Sequence, residues 1–221
     1  GRAGGRVQVS EAGVKDFPRV AEFLVDFFYL EGPEDKLSGW DRRRIAGAQA
    51  ADMRKRYGGG GVGPVGTEGR VLCAEEGAGG GGGAPRLLGT VAVGEFVFLE
   101  GELALGAGAQ AEGAEIRAVI ANLAVDRECR RQGVGRKLVA EAEATAREWG
   151  YDYIWLLVEE DNERAQKLYR KMGYNAQGRD EGRDMVKVAQ GRIQELNVDS
   201  IVMKKSLKGS LLGPLENLFG L

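Results

Sequence analysis

The run from Glu115 to Gly150 constrains this chain more than any other part of it. "EIRAVIANLAV" (115–125) is apolar and β-branched enough to be the longest strand and to lie centrally in a sheet. A charged turn, "DRECRRQG", follows. "VGRKLVAEAEATAREWG" then repeats Val134, Leu138, Ala142, Ala146 and Trp149 on one helical stripe, and Gly150 ends the helix. "YDYIWLLV" (151–158) reads as another buried strand, and "DNERAQKLYRKMGY" as a short helix capped by Asp161 or Asn162, with Ala165, Leu168, Tyr169 and Met172 turned inward.

The flanking segments fit around this unit. "RVQVSEA" alternates as a short strand does. In "KDFPRVAEFLVDFF", Asp16 is placed to cap a helix, Pro18 suits its first turn, and Phe17, Val20, Leu24, Phe27 and Phe28 share a face. "SGWDRRRIAGAQAADMRKRYGG" reads as a more polar second helix ending at glycine. "RVLCAEE" and "RLLGTVAVGEFVFLE" predict a hairpin with "GAGGGGGAP" as its enlarged tip, and "NVDSIVMKKSL" a last strand. The resulting order, β-α-α-β-β-β-α-β-α-β with a final strand, predicts an α/β fold with α+β-like order around a mixed sheet. One domain over 6–205 and a tail over 206–221 are expected. The other glycine-rich stretches, "GGGGVGPVG" and "LGAGAQAEGAE", read as low-complexity connections between elements that need each other.

Composition narrows the chemistry. With 31 basic and 33 acidic residues, nothing global points to nucleic acid or an anionic membrane. No apolar run approaches the ~20 residues of a bilayer span. Two cysteines, Cys73 and Cys129, make no disulfide framework and suit a reducing compartment. The chain begins at Gly1, so it is expected to be a fragment or processed form that has lost any targeting peptide. It contains no histidine, which removes Ser-His-Asp and Cys-His triads and His-rich zinc sites. Acids and bases must be Glu, Asp, Tyr, Lys, Cys or water.

A basic Gly-x-Gly turn at the mouth of a helix is a seat for an anion. The first N–H groups of a helix are unpaired and carry about half a positive charge. Glycines let the backbone of Gln132 to Arg136 curl close to a phosphate, and Arg130, Arg131 and Arg136 add charge-assisted contacts. The turn is not a Walker loop, for it lacks Gly-Lys-Ser/Thr, and Leu138 replaces the third glycine of a dinucleotide fingerprint.

"LAVDRECRRQGVGRKLVAEAEATAREWG" followed by "YIWLLVEEDNERAQKLYRKMGY" closely resembles the core of the GNAT superfamily of acyl-CoA-dependent N-acetyltransferases. Arg130-Arg131-Gln132-Gly133-Val134-Gly135 matches its Arg/Gln-x-x-Gly-x-Gly/Ala motif; Asn162, Ala165, Leu168, Tyr169, Gly173 and Tyr174 match its second motif. The resemblance covers Asn122 to Tyr174 and implies a sheet splayed at the cofactor strand, with helices on both faces. It implies acetyl-CoA as co-substrate, no metal, and direct attack by an amine. Leu123, Ala124 and Val125 would hydrogen-bond the pantetheine arm through their main chain, with the Val125 N–H polarising the thioester carbonyl. Arg131 to Arg136, namely Arg131, Gln132, Gly133, Val134, Gly135 and Arg136, would cradle the diphosphate, and Arg130 would add charge. Asn162, Glu163 and Arg164 would lie by the cofactor, Asn162 also serving as a helix cap. Tyr169 would give its proton to the departing thiolate.

The base is less plain. Some relatives carry Glu or His at the position of Leu157, so Glu159, Glu160 or Glu115 would have to act through water. At pH 7 an α-amine is roughly 10–20% neutral and a lysine about 0.04%, so a site without a strong base favours a protein N-terminus over lysine. "REWGYDYIWLLVEEDNERAQKLYRKMGY" is further similar to plastid-type plant and algal members, which implies a chloroplast location, protein or peptide amines as acceptors and no nucleic-acid or membrane partner. Three readings compete: a small-molecule amine enzyme of the polyamine or aminoglycoside kind, a non-catalytic acyl-CoA sensor, and a nucleotide-binding protein of another class.

Overall fold

The computed structural model describes residues 7–29, 37–58, 68–77, 85–99, 102–104, 111–189 and 192–208. The chain runs through β1 (Val7–Glu11), α1 (Phe17–Phe28), α2 (Gly39–Tyr57), β2 (Gly69–Glu76), β3 (Arg86–Leu99), a short β4 (Glu102–Leu103) and β5 (Ala114–Val125). It continues through α3 (Val134–Glu148), β6 (Tyr153–Glu159), α4 (Glu163–Lys171), β7 (Asn175–Ala189) and β8 (Arg192–Ser206). One mixed sheet runs β1-β2-β3-β5-β6-β8-β7, with β4 joined to β3. The β5–β6 pairing is parallel and the other pairings are antiparallel. The apolar strand at 114–125 is thus central, as its sequence requires.

Strand alternation sorts the core into two layers. Val71, Cys73, Ala92 and Ala124 face Phe17, Val20, Leu24, Ala50 and Met53 of α1 and α2. Leu72, Ala74, Val91, Val93, Ile154 and Leu156 face Leu138, Val139, Ala142 and Ala146 of α3 and Tyr169 of α4. Helices therefore cover both faces. Helix α1 buries Phe17, Val20, Ala21, Leu24 and Val25, each large side chain contributing roughly 1.5–3 kcal/mol; α2 buries only Ala46, Ala50 and Met53. The second helix is the more lightly held, and a two-pronged Arg42–Asp26 ion pair (2.7 Å for each hydrogen bond) ties it to the first.

Several sequence expectations need correction. Asp16 does not cap α1 with its side chain; it accepts from the Gly13 N–H at 3.0 Å and closes the 3₁₀ turn ahead of the helix. Phe28 lies off the buried stripe and is exposed, because the apolar face runs through Ala21 and Val25. The closing strand begins at Arg192, not near Asn197, and pairs with β7, whose polar sequence gave no alternation to read. The fold also outlasts the expected boundary at 205, since β8 reaches Ser206 and Leu207 is buried. The tail from 209 and most of the glycine-rich connections lie outside the described residues.

The central strand carries the feature that shapes the site. Thr90 pairs with Ala124 and Ala92 with Ala121, so Asn122 and Leu123 share the space opposite Val91. This is a β-bulge, and Asn122 takes the left-handed φ of 53° that it requires. A bulge adds twist and bends its strand. Accordingly β5 and β6 pair only at Ala118–Ile154, Val119–Trp155 and Ile120–Leu156, although β5 continues to Val125 and β6 to Glu159. Beyond Ile120 the two strands diverge and leave a cleft between them.

On the α3 side, a buried charge cluster braces the cleft from behind. Glu143, 4% exposed, accepts from Lys205 Nζ at 2.8 and 2.7 Å and from the Tyr174 hydroxyl at 3.1 Å. The Tyr174 ring in turn meets Tyr169 edge-on, 5.5 Å between centroids. Losing one member of such a cluster leaves a buried charge unpaired. Glu143→Ala is expected to cost about 2–4 kcal/mol, a fall in melting temperature of roughly 5–15 °C by circular dichroism. Replacing Glu143 and Lys205 together by methionine should recover most of it.

Candidate active site

Three elements converge at the open end of the cleft: the last residues of β5, the first turn of α3, and α4. Gly135 lies at their junction. A Cβ built on it would be 3.5 Å from Val125 Cγ2 and 3.6 Å from Leu168 Cδ2, ordinary contacts, so the protein itself does not demand glycine there. Gly133 is different. Its φ of 87° falls in the left-handed region, and it precedes α3 without a side-chain cap. The first intrahelical bond runs from the Lys137 N–H to the Gly133 carbonyl at 3.0 Å. The amides of Val134, Gly135 and Arg136 consequently point out of the helix start, where an anion is favoured by about 0.3–1 kcal/mol or more. Arg131, also left-handed at φ 65°, tightens the same turn.

The basic residues divide into two kinds. Arg130 is turned inward, its Nε donating to the Val125 carbonyl at 3.3 Å and its guanidinium 5.3 Å from the Phe27 ring. It joins the turn to α1. Gln132 is exposed and donates to the Glu128 carbonyl, while Arg136 is exposed on the first turn of α3. Arg131 lines a cavity of about 420 Å³ with Glu163, Arg164, Lys167 and Lys171. The sequence reading had Arg131, Glu163 and Arg164 but missed the two lysines. Their signal was present, because 164, 167 and 171 stand at i, i+3 and i+7 and so form one helical stripe. Glu163 is held below the ordinary carboxylate range by its hydrogen bond from Lys167, 2.7 Å long, and stays anionic, so the lining is net positive because four cations face one carboxylate.

Antiparallel alternation decides which main-chain groups of β5 face the cleft. The Asp126 N–H donates to the Leu88 carbonyl at 2.8 Å, and Gly89–Val125 and Thr90–Ala124 continue that register. The Val125 N–H therefore points away from β3, towards the side from which β6 has departed, and Leu123 follows the same sense. Ala124 directs its polar groups at β3 and buries its methyl against α1 and α2. Of the three residues expected to offer main chain to a ligand, Leu123 and Val125 turn their N–H groups away from β3 and Ala124 does not.

Tyr169 packs in the cluster that holds Ile120, Leu123, Val125, Leu156 and Val158, the residues bordering the divergence. Burial pushes its phenol well above 10, so it stays protonated throughout the neutral range. Its hydroxyl has no protein partner among the described residues. Asn162 caps α4 through its Oδ1, accepting from the Ala165 N–H at 3.0 Å. Buried Gln166, absent from the sequence expectation, donates to the carbonyls of Glu159 and Glu160 and fixes α4 to the end of β6.

The remaining acids and thiols can be sorted by partner. Glu115 pairs with Arg117 and Glu160 with Arg179. Glu159 shares with Trp155 and Leu157 the face of β6 opposite α3, next to the cleft. Burial raises the Cys129 thiol and takes Cys73 to about 11, so neither is a ready thiolate nucleophile. Among the described residues there is no cluster of metal-ligating side chains, and no helix long and apolar enough to cross a membrane.

Comparison with known proteins agrees with this geometry. Residues 69–174 match the profile of the acetyltransferase (GNAT) family. The chain is 39% identical over 71 residues to a GCN5-related N-acetyltransferase 7, chloroplastic, from Arabidopsis thaliana; that match spans 31% of the chain and 26% of the relative's length. Among solved structures, Arabidopsis thaliana NAA60 in complex with a bisubstrate analogue superposes with a TM-score of 0.55 at 16% identity, covering 92% of this chain and 100% of that one. Chaetomium thermophilum Naa20, also with a bisubstrate analogue, gives 0.55 at 18% identity over 90% of this chain and 86% of that one. At these identities the two structures share the fold.

Charge reversal at the cavity tests the anion seat. Arg131→Glu combined with Lys171→Glu is expected to weaken pyrophosphate binding at least tenfold by calorimetry, with the melting temperature nearly unchanged because both side chains are exposed. The wild-type affinity should fall steeply between low and high salt.

Proposed function

Because the chain carries a GNAT acetyltransferase domain, we propose that it transfers an acetyl group from acetyl-CoA to a primary amine, foremost the α-amine of a protein N-terminus. The observation that carries this reading is the divergence of β5 from β6 with the Val125 N–H turned into the gap, beside an uncapped helix start. Acetyl-CoA would supply a thioester already activated for attack, so no enzyme nucleophile is needed. The amides of Val134 to Arg136 hold the diphosphate, and the basic cavity with Arg131, Arg164, Lys167 and Lys171 suits the phosphate groups near the adenosine end. Leu123 and Val125 bind the pantetheine arm as an added strand would. The same Val125 amide, turned into the gap, would polarise the thioester carbonyl.

Tyr169 supplies the proton for the departing sulfur. A coenzyme thiolate would be protonated near 8.5, well below the raised phenol, so free transfer would run uphill. Donation becomes effective when it occurs as the C–S bond breaks and the negative charge develops beside the hydroxyl. Protonation of Tyr169 is therefore never limiting in the working range. The proton given up by the amine would leave through water to a carboxylate near the cleft, Glu159, Glu160 or Glu115. A carboxylate acting through water is a weak base, which favours an α-amine over a lysine. The similarity to a chloroplastic relative supports a plastid location, whose more alkaline interior would narrow that difference.

The non-catalytic reading is disfavoured by the Tyr169 hydroxyl, which has no protein partner among the described residues and for which a binding protein has no use. Tyr169→Phe is expected to lower kcat by about 10²-fold or more while changing the dissociation constant of acetyl-CoA less than threefold, as measured by thiol release and calorimetry. Equal loss of both would mean that the residue only packs. In a side-by-side assay at pH 7, a peptide with a free α-amine should outrun an N-blocked lysine peptide at least tenfold, with its rate levelling off above pH 8. Faster lysine transfer at pH 7 would overturn the acceptor assignment.

A further inference from the structure

Past the closed end of the cleft, the sheet face opposite α3 is a cationic and aromatic floor. Arg117 of β5 lies between two rings, its guanidinium 4.4 Å from the centroid of Phe98 on β3 and 4.3 Å from that of Trp155 on β6. Lys204 of β8, paired across the sheet with Trp155, places its ammonium 4.9 Å from that ring and 3.8 Å from Tyr153. Helices α1 and α2 cover the β2–β3 half of this face, but among the described residues none packs over Tyr153, which is 41% exposed. The two rings hold the Arg117 guanidinium flat, its edge already presented to a carboxylate. That carboxylate is now Glu115, itself largely exposed and so readily displaced. Lys204 has no acidic partner among the described residues.

We propose that this floor is an acceptor subsite selecting an acidic side chain at the second or third residue of the polypeptide being acetylated. The inference rests on the acetyltransferase reading above. With the diphosphate seat and Tyr169 on the α3–α4 side of the sheet, the attacking amine must arrive from the other face. That is the face carrying Leu157, Trp155, Arg117 and Lys204. Arg117 is three residues before Ile120, the last β5 residue paired with β6, or about 10 Å along the strand. An extended peptide whose amine enters the closed end of the cleft reaches that point within two to three residues. Two cations against one carboxylate attract an aspartate or glutamate there and repel lysine-rich chains and free polyamines.

Three peptides differing only at residues two and three, as Glu-Glu, Gln-Gln or Lys-Lys behind an N-terminal alanine, decide it by thiol release from acetyl-CoA. The wild type should show kcat/KM at least tenfold higher for the Glu-Glu than for the Gln-Gln peptide, and lowest for Lys-Lys, the preference collapsing in 0.5 M salt. Arg117→Gln and, separately, Lys204→Gln should each reduce the Glu-to-Gln ratio at least threefold. The ratio is taken within each variant, so a general loss of activity or stability cancels, and half-buried Lys204 serves if Arg117→Gln folds poorly. Equal rates in the wild type, or a preference that survives both substitutions, would overturn this inference alone. Transfer to none of the peptides, with acetyl-CoA still bound, would overturn the acetyltransferase reading and this inference with it.

Discussion

The bulge at Asn122 and Leu123 is the constraint on which the site depends. Without it β5 would stay paired with β6 through Val125, and every main-chain donor that faces the cleft would be spent inside the sheet. One inserted residue bends the strand and leaves the Val125 amide on the side where β6 no longer pairs. The helix start at Gly133 then lies at the mouth of that gap, because the turn after β5 is short. Two sets of unpaired N–H groups, one from a diverging strand and one from an uncapped helix, are thereby brought close together.

Such a gap needs support, since a strand with unpaired edges is prone to close or to pair elsewhere. The support comes from the layer behind it. Tyr169 fills the space under the divergence, Tyr174 abuts Tyr169, and Glu143 with Lys205 clamps Tyr174 between α3 and β8. Arg130, bonded to the Val125 carbonyl and packed on Phe27, ties the far lip of the gap to α1. The proposed proton donor is thus also a structural wedge, and its orientation is set by a charge cluster remote from any ligand.

Much of this was legible because it is local. The central strand, the basic glycine turn, the α3 stripe and the α4 cap are written in contiguous residues, and all were found where periodicity and capping put them. What escaped depends on contacts between distant segments. Nothing near Glu143 in sequence says that Lys205 will neutralise it, so an apolar stripe was expected to pass it by. Strand β7 is polar and twice bulged, which erased the alternation a strand is read from. The lysines at 167 and 171 were visible on a helical wheel but gained meaning only when Arg131 came to lie beside them. Arg130, grouped with the phosphate ligands by its place in the motif, turned out to be engaged by α1, a helix more than a hundred residues earlier.

The central claim is that two separate backbone segments, the end of β5 and the start of α3, grip one coenzyme A molecule. Amide hydrogen exchange with and without coenzyme A measures this directly. The account predicts slowed exchange at Leu123 and Val125 and, in the same titration, at Val134 to Arg136, with Ala124 little changed because its amide already faces β3. Protection at neither segment, or at the helix start alone with β5 unaffected, would contradict it.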